Sequence, residues 1–501
     1  MTTLSSLRER APNVTRIDPD AIRIGKDIIE ILTTGMYVSP VTIYREYIQN
    51  AADSIDIARA FSATLERGQR GAVAVAFDQA ARAVTIRDNG AGIAAKDVPS
   101  ILLAIGGSAK RGTDARGFRG VGRLSGLAYC RALQFRTKAA GERKITSVIW
   151  DCRALRERLA DSAFGGDLRR TIADSVTLSE ERTENRDEHF FEVRLVDIAR
   201  LRNDVLLNEM QIAQYLAQVA PLAFDSGFSF APEIEKRLAA AGRQAPINLT
   251  VAGEVVHRPY KDELPFPNTM HTLRVKEIEF VEFPDVDGNI GAVGWIGHHD
   301  YVRSLPAGLG VRGLRARYGD IQVGEANLFE DSYKEVRFNG WTVGELHILD
   351  RRIVPNARRD NFEANHHYYN LLVQLGPLAA KITQRCRSAS VARNAEQIVR
   401  NVIAATTGRL KERRSFDRAE LSRLKSTIHN AGIKAKRIED PVIREELERT
   451  LSRLTKRLRI VSPKRGASAI ALDEATSLVS KVITNREQAG KLIERLRKLC
   501  E

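Results

Sequence analysis

YREYIQNAADSID, residues 44–56, places three polar side chains in a stretch with helical periodicity. Apolar residues recur at Ile43, Tyr47, Ile48, Ala51, Ile55 and Ala58, the spacing of a helix that buries one side. Glu46, Asn50 and Asp53 follow at intervals of four and three and so share a face. Long, flexible charges are the ordinary occupants of a solvated face. A carboxylate followed by a short amide is instead suited to orienting a water through Glu46 and completing a magnesium shell through the Asn50 oxygen. Alone, such a row reads more readily as solvated surface; the residues that follow change the balance.

Residues 71–77 (GAVAVAF) and 83–87 (AVTIR) read as two strands joined by a short polar turn. Asp88 stands at the strand end, where its carboxylate can accept a hydrogen bond from an exocyclic amine such as that of adenine. Gly90 and Gly92 then allow a tight bend and close approach of backbone to a ligand. Further on, GGSAKRGTDARGFRGVGRLSG holds seven glycines within residues 106–126 and precedes a helical apolar run. This is the composition of a mobile lid. Its end, GFRGVG at 117–122, brings bare backbone N–H groups to a helix start, where oriented amides favour phosphate oxygens.

These three clusters, ExxxN helix, DxGxG turn and GxxGxG lid, resemble the boxes of the GHKL ATPases, the superfamily of DNA gyrase B, heat-shock protein 90 chaperones, sensor histidine kinases and MutL. The resemblance implies an N-terminal Bergerat-type α/β sandwich that binds ATP with Mg2+. It makes Glu46 the general base, Asn50 the magnesium ligand and Asp88 the adenine contact. Asp53, Gly90, Gly92, Lys110, Gly117, Gly120, Val121 and Gly122 complete the implied nucleotide-binding set.

The branch is decided further along. FNGWTVGELHILDRRIVPNARRDNFE, residues 338–363, reads as a strand from Trp341 to Leu349, a break at Pro355 and a basic loop. It resembles the middle domain of heat-shock protein 90, whose catalytic loop carries an asparagine and an arginine that contacts the γ-phosphate. Aligning Asn356 on that asparagine puts Arg359 on the arginine, with Arg358 as its competitor. Two adjacent arginines beside Asp360 and Glu363 are otherwise an ordinary surface ion-pair cluster, worth ~0–1 kcal/mol per pair. The chain departs from the chaperone pattern in two places. Phe118 and Arg119 make a GFRG closer to MutL, and the Gly-Thr that ends the nucleotide domain has only HFFEVRL, with His189 and Phe190, near its place.

Other routes to function are closed. No GxxxxGK[ST] occurs, and Gly308 to Gly313 matches GxGxxG but is followed by the strand-like LRARYGDIQV, where a dinucleotide site needs a helix. Cys130, Cys152, Cys386 and Cys500 are far apart in sequence and form no CxxC, which argues against a zinc site or a disulfide framework. The adjacent pairs His298-His299 and His366-His367 would diverge on a strand. No run of eighteen apolar residues exists and the N-terminus lacks a signal-peptide core, so no membrane contact and a cytoplasmic location are expected. A histidine kinase is disfavoured because no phosphoacceptor helix precedes the boxes.

Charge is concentrated at one end. From Lys381 to Glu501 there are 29 Lys and Arg against 14 Asp and Glu, a net of +15, while residues 1–380 balance at 49 of each. There Leu447, Leu451, Leu454, Leu458 and Val461 form a short coiled-coil seam, between helices folded back on one another or between subunits. The expected architecture is α+β in three parts: a nucleotide-binding domain over 1–205, an α/β middle transducer over 206–380 containing the strand–turn–strand INLTVAGEVV (247–256), and a basic helical domain over 381–501. The expected function is an ATP-hydrolysing, heat-shock protein 90-like chaperone or remodelling ATPase, working as an ATP-gated homodimeric clamp on a client protein or acidic partner. The alternative is a nucleic-acid clamp of MutL or MORC type, with the basic region as its nucleic-acid contact.

Overall fold

The structure, a computed structural model, describes residues 39–60, 71–105, 122–161, 168–412, 416–461, 467–483 and 486–500. It divides into two compact units, Met1–Ile382 and Thr383–Glu501.

In the first unit, helix α1 (Thr42–Ala60) precedes strands β1 (Ala72–Asp78) and β2 (Ala83–Asp88), short helix α2 (Val98–Leu102), and strands β3 (Cys130–Lys138) and β4 (Lys144–Asp151). Helices α3 (Cys152–Ala160) and α4 (Leu168–Ala173), strands β5 (Val176–Arg182) and β6 (Phe190–Ile198), and helices α5 (Glu209–Val219) and α6 (Ala231–Ala240) follow. Every apolar position anticipated on α1 is buried, together with Tyr44 and Ala52. That face packs on the strand residues that alternate inward, Val73 and Val75 of β1 and Val84 and Ile86 of β2.

One feature differs from the sequence reading. Strands β7 (Asn248–Val251) and β8 (Glu254–Val256) form the expected hairpin, but they extend the N-terminal sheet, giving the order β5-β4-β3-β6-β2-β1-β7-β8. β7 runs parallel to β1 with Val73 opposite Leu249 and Val75 opposite Val251, so Leu249 and Val251 enter the same core as α1. Without β7, β1 would present an open edge above a buried apolar row. The buried Ile212, Leu216 and Val219 of helix α5 also belong to this first core. The sheet therefore crosses the boundary expected at residue 205.

The second sheet joins β11 (Glu277–Pro284), β12 (Ile290–His298), β15 (Val343–Ile348), β13 (Gly313–Tyr318) and β14 (Ile321–Val323) in that order, after a small β9 (Glu263–Pro265) and β10 (Thr272–Arg274) pair. Residues after the GxGxxG form a strand, as expected. One face of this sheet carries a buried ionic cluster. Arg258 binds Asp320 at 2.5 Å and also pairs with Glu345; Arg317 binds Glu345 at 2.6 Å; Arg243 binds Asp320 at 2.9 Å. The spare guanidinium protons end on chain carbonyls: Arg317 donates to Gln218 and Ala220, and Arg258 and Arg243 donate to Leu222. Burial pushes the Asp320 carboxyl up, but Arg243 and Arg258 outweigh it and hold that carboxyl well below the usual range. The cluster thereby fastens the end of α5 to the second sheet.

His298 and Tyr301 hydrogen-bond at 2.6 Å and His298 reaches Glu279 at 2.8 Å. Among the described residues no group of three or more His, Cys, Asp or Glu gathers in a way that could hold a metal ion. Cys130 and Cys152, distant in sequence, meet as free thiols with sulfurs 3.8 Å apart.

Helix α7 (His366–Glu412) begins in the first unit and ends in the second, which continues with α8 (Arg418–Ala435), α9 (Pro441–Ile460), α10 (Ala467–Val482) and α11 (Arg486–Cys500). Asp417 caps α8 with a full capping box and Asp440 caps α9 ahead of Pro441. Leu447, Leu451, Leu454 and Leu458 are buried against Leu421, Leu424, Ile428 and Ala431 of α8. The leucine seam is thus occupied within the chain, the folded-back one of the two arrangements its spacing allowed.

Removing Glu345 would leave Arg258 with Asp320 alone and Arg317 with no carboxylate partner in a dry interior. Glu345→Ala is expected to lower unfolding free energy by about 3–5 kcal/mol in urea denaturation of the full chain; a loss within the range of an exposed pair, ~0–1 kcal/mol, would contradict the burial described.

Candidate active site

Four consecutive residues of α1 each reach a different segment. The Tyr44 hydroxyl donates to the Leu206 carbonyl at 2.5 Å. Arg45 donates to the Arg358 carbonyl at 3.0 Å and the Arg359 carbonyl at 3.5 Å. A Glu46 carboxylate oxygen lies 3.7 Å from Arg45 Nε and 3.7 Å from Arg359 Nε. The Tyr47 hydroxyl accepts the Gly126 N–H at 2.9 Å and donates to the Arg123 carbonyl at 3.3 Å. One helical turn therefore holds the linker before α5, the basic loop after β15 and the foot of the glycine-rich segment.

Glu46 is 8% exposed, and a Cβ built on Gly122 would stand 2.4 Å from its other oxygen, Oε2. Only a residue without a side chain fits at 122 with this carboxylate in place. Gly122 opens the 3₁₀ turn Gly122–Ala128. Lys110, Gly117, Gly120 and Val121 lie outside the described residues.

The loop that carries Arg359 closes on itself. Asn356 and Asn361 share a backbone hydrogen bond at 2.9 Å, the Asn356 amide donates to Asp360 at 2.6 Å, and Pro355 bridges Phe362. Arg359 takes φ of 55°, a left-handed conformation uncommon for a residue with a side chain. That turn directs a 6% exposed Arg359 toward Glu46, while Arg358 is exposed. Of the two arginines, Arg359 is the one beside the carboxylate.

Asp88 lies at the end of β2, 4% exposed, with its Oδ1 accepting the Gly90 N–H at 2.8 Å. Burial pushes its carboxyl up to about 7, against the downward pull of the Gly90 N–H, the Ser54 hydroxyl, the Phe191 N–H and the charge of Arg87. The turn after it is built for glycine. Gly92 has φ of 64°, and a Cβ there would lie 2.0 Å from the Lys138 carbonyl; at Gly90 it would meet Ser54 Oγ at 2.2 Å. Asp53 is buried on α1, and the side chain of Asn50, half-buried, has no hydrogen-bond partner among the described residues. Beside them the Gln49 amide oxygen is buried without a partner. The residues fit a nucleotide: a buried acceptor, a backbone cradle that a Cβ would fill, and a free amide oxygen.

Sequence reasoning missed several contributors. Ser54 supports Asp88 and sits one position beyond the polar row on α1. His189 Nδ1–H donates to the Gly90 carbonyl at 2.6 Å, which fixes the ring's tautomer. Thr137, from β3, accepts the Ile93 N–H at 2.9 Å and donates to the Phe190 carbonyl at 3.0 Å, so a threonine does stand behind the turn, from another strand. Arg45 carried no signal beyond an arginine inside an apolar pattern, where it reads as surface.

The folded-state value for Asp88 lies above the ordinary 3.8. Its contribution to stability is therefore complete below about pH 4 and fades as pH rises through about 7. Urea denaturation across this window should show the parent losing stability relative to Asp88→Asn; parallel profiles would mean that the carboxyl titrates normally.

Residues 41–162 match the family described as "Histidine kinase-, DNA gyrase B-, and HSP90-like ATPase". The chain is similar to Chaperone protein HtpG of Shigella dysenteriae serotype 1 (strain Sd197), 29% identical over 142 residues, which is 25% of this chain and 23% of that protein. Chaperone protein HtpG of Escherichia coli (strain K12) and of Escherichia coli O157:H7 are 28% identical over 142 residues with the same shares. The chain thus spans about 23% of the length of these curated relatives. No described helix is long and apolar enough to cross a membrane. The similarity to the histidine kinase, DNA gyrase B and HSP90-like ATPases thus lies in residues 41–162, the part of the chain that carries Glu46, Asp88 and Gly122.

Proposed function

We propose that the chain binds ATP with Mg2+ and hydrolyses it, the cycle driving an ATP-gated, homodimeric clamp with a chaperone-like or remodelling output in the cytoplasm. The observation that carries this reading is the convergence of Glu46 and Gly122, both within the residues that match an ATPase family, with Arg359 from a distant loop. Asp88 would take the adenine amine, and the Gly90–Gly92 turn would let the base lie against backbone. Asn50 would give one oxygen to a magnesium that keeps water and phosphate oxygens as its other ligands. Mg2+ supplies charge neutralisation on the phosphates when bound. Glu46 accepts the proton of an attacking water, Arg359 offers positive charge where the γ-phosphate charge develops, and Arg45 holds the loop that carries Arg359.

One observation favours a second reading, a nucleic-acid clamp: the whole net charge of +15 lies after residue 380. Hydrolysis stimulated by DNA and falling steeply with salt would favour it, whereas stimulation by a denatured protein would favour the chaperone-like output.

Glu46→Ala should keep ATP affinity and lose roughly 10²–10⁴-fold in turnover; near-normal phosphate release would sink the base assignment. Arg359→Ala should lose turnover and Arg358→Ala should not, with the reverse result shifting the loop alignment by one residue. Because the acceptor form of Asp88 grows as pH rises through about 7, ATP should bind more tightly at about pH 8 than at about pH 6. Asp88→Asn should bind weakly at both, and calorimetric titration with unchanged affinity in that variant would make Asp88 a turn residue only.

A further inference from the structure

A groove of about 760 Å³ runs between α8 and α9 in the second unit. Lys425, His429 and Lys436 line it from α8, and Arg459 from α9, with Glu448 the one acid in the lining. Opposite them, Ser452 and Thr455 add hydroxyls. The two helices follow one another across the short connection 436–440 and share one apolar cluster, so the lining residues of both face a common groove. Residues 423–437 and 449–461 each hold five Lys or Arg and no Asp or Glu. Ion pairs among the described residues of this unit, such as Arg400–Glu396, Arg449–Glu445 and Lys491–Glu487, leave Lys425, Lys436 and Arg459 unpaired.

Gly432 sits in the last turn of α8, three residues before its end at Ala435, and alanine there would be the stronger helix former. A Cβ there would meet no atom within 4 Å. The interior does not require this glycine; it opens helix backbone to approach from the groove.

We propose that this groove binds the phosphodiester backbone of a single-stranded nucleic acid. Its cations supply the charge complementarity, and its shape selects the ligand. Of the four large apolar side chains in the lining, Ile428, Leu451 and Leu458 are 5%, 4% and 1% exposed and already packed in the hairpin, which leaves Ile433, 52% exposed, as a single apolar contact where an amphipathic peptide helix needs a stripe of several. The axes of two packed helices lie about 8–10 Å apart, too close for a duplex to settle between them. From Lys425 to Lys436 the helix rises about 16 Å at 1.5 Å per residue, roughly the rise of five stacked nucleotides at 3.4 Å each. No aromatic side chain lines the groove, so contact is with phosphates, independent of sequence and sensitive to salt.

The inference does not rest on nucleotide hydrolysis, and its test needs no ATP. Full-length protein is titrated against fluorescent oligo-dT and oligo-U, a mixed duplex, and polyglutamate, by polarisation across a salt series. Both single strands should bind more tightly than the duplex or polyglutamate. K425E/K436E/R459E should weaken binding on the order of 10–100-fold and reduce the salt slope by about 2, near 0.7 per lost contact. Gly432→Leu keeps every charge and should weaken binding about tenfold by filling the groove, while the control K411E/K481E/K491E should stay within about threefold of the parent. Circular dichroism checks folding of each variant, and Gly432→Leu keeps the test decisive if the triple reversal misfolds. Equal or tighter binding of polyglutamate, a preference for duplex, parent-like affinity of Gly432→Leu, or an equal loss in the control would each overturn the proposal.

Discussion

A buried carboxylate held between two guanidinium groups organises the first unit. Glu46 lies 3.7 Å from both Arg45 and Arg359, and its second oxygen leaves room for no side chain at residue 122. A charge at 8% exposure needs partners. Here they come from its own helix and from a loop more than three hundred residues away. Tyr44, Arg45 and Tyr47 extend the same logic, each tying another segment to the turn that carries Glu46. A displacement of Gly122 or of the basic loop must therefore register at this carboxylate.

The ionic cluster of the second sheet complements that arrangement. Arg258 and Arg317 join Glu345 and Asp320 while spending their remaining protons on the carbonyls of Gln218, Ala220 and Leu222. Those carbonyls follow or end α5, whose apolar side is part of the first core. The two sheets are thus joined twice, by packing and charge around α5 and by the Arg45 and Arg359 contacts with α1. In the proposed reading this double connection is what lets a change at a bound nucleotide pass to the second sheet.

Elements set by local periodicity were legible in the sequence: α1, the β1–β2 hairpin, β15 and α9 with its leucines. Glu46, Asn50 and Asp88 stood out because short polar groups interrupted an apolar pattern or followed a strand next to glycines. What was not legible depended on distant partners. The β7–β8 hairpin reads the same whichever sheet receives it, and only the inward row of β1, completed by Leu249 and Val251, shows why it joins the first. Arg45 looks like surface until the Arg358 and Arg359 carbonyls are placed beside it. Thr137 and His189 support the Asp88 turn from strands or loops that sequence spacing does not connect to it. The leucine seam had the right spacing for either of two partners, and spacing alone does not distinguish a helix of the same chain from one of another.

The central claim is that α1 and the basic loop form one catalytic unit. A double-mutant cycle on ATP turnover tests it most directly, comparing parent, Glu46→Ala, Arg359→Ala and the double variant in single-turnover phosphate release at saturating ATP and Mg2+. If the two side chains act as a unit, the double variant should be slowed little beyond the worse single variant, because either change already dismantles the pair. Multiplicative losses, with each substitution acting as though the other were absent, would contradict it.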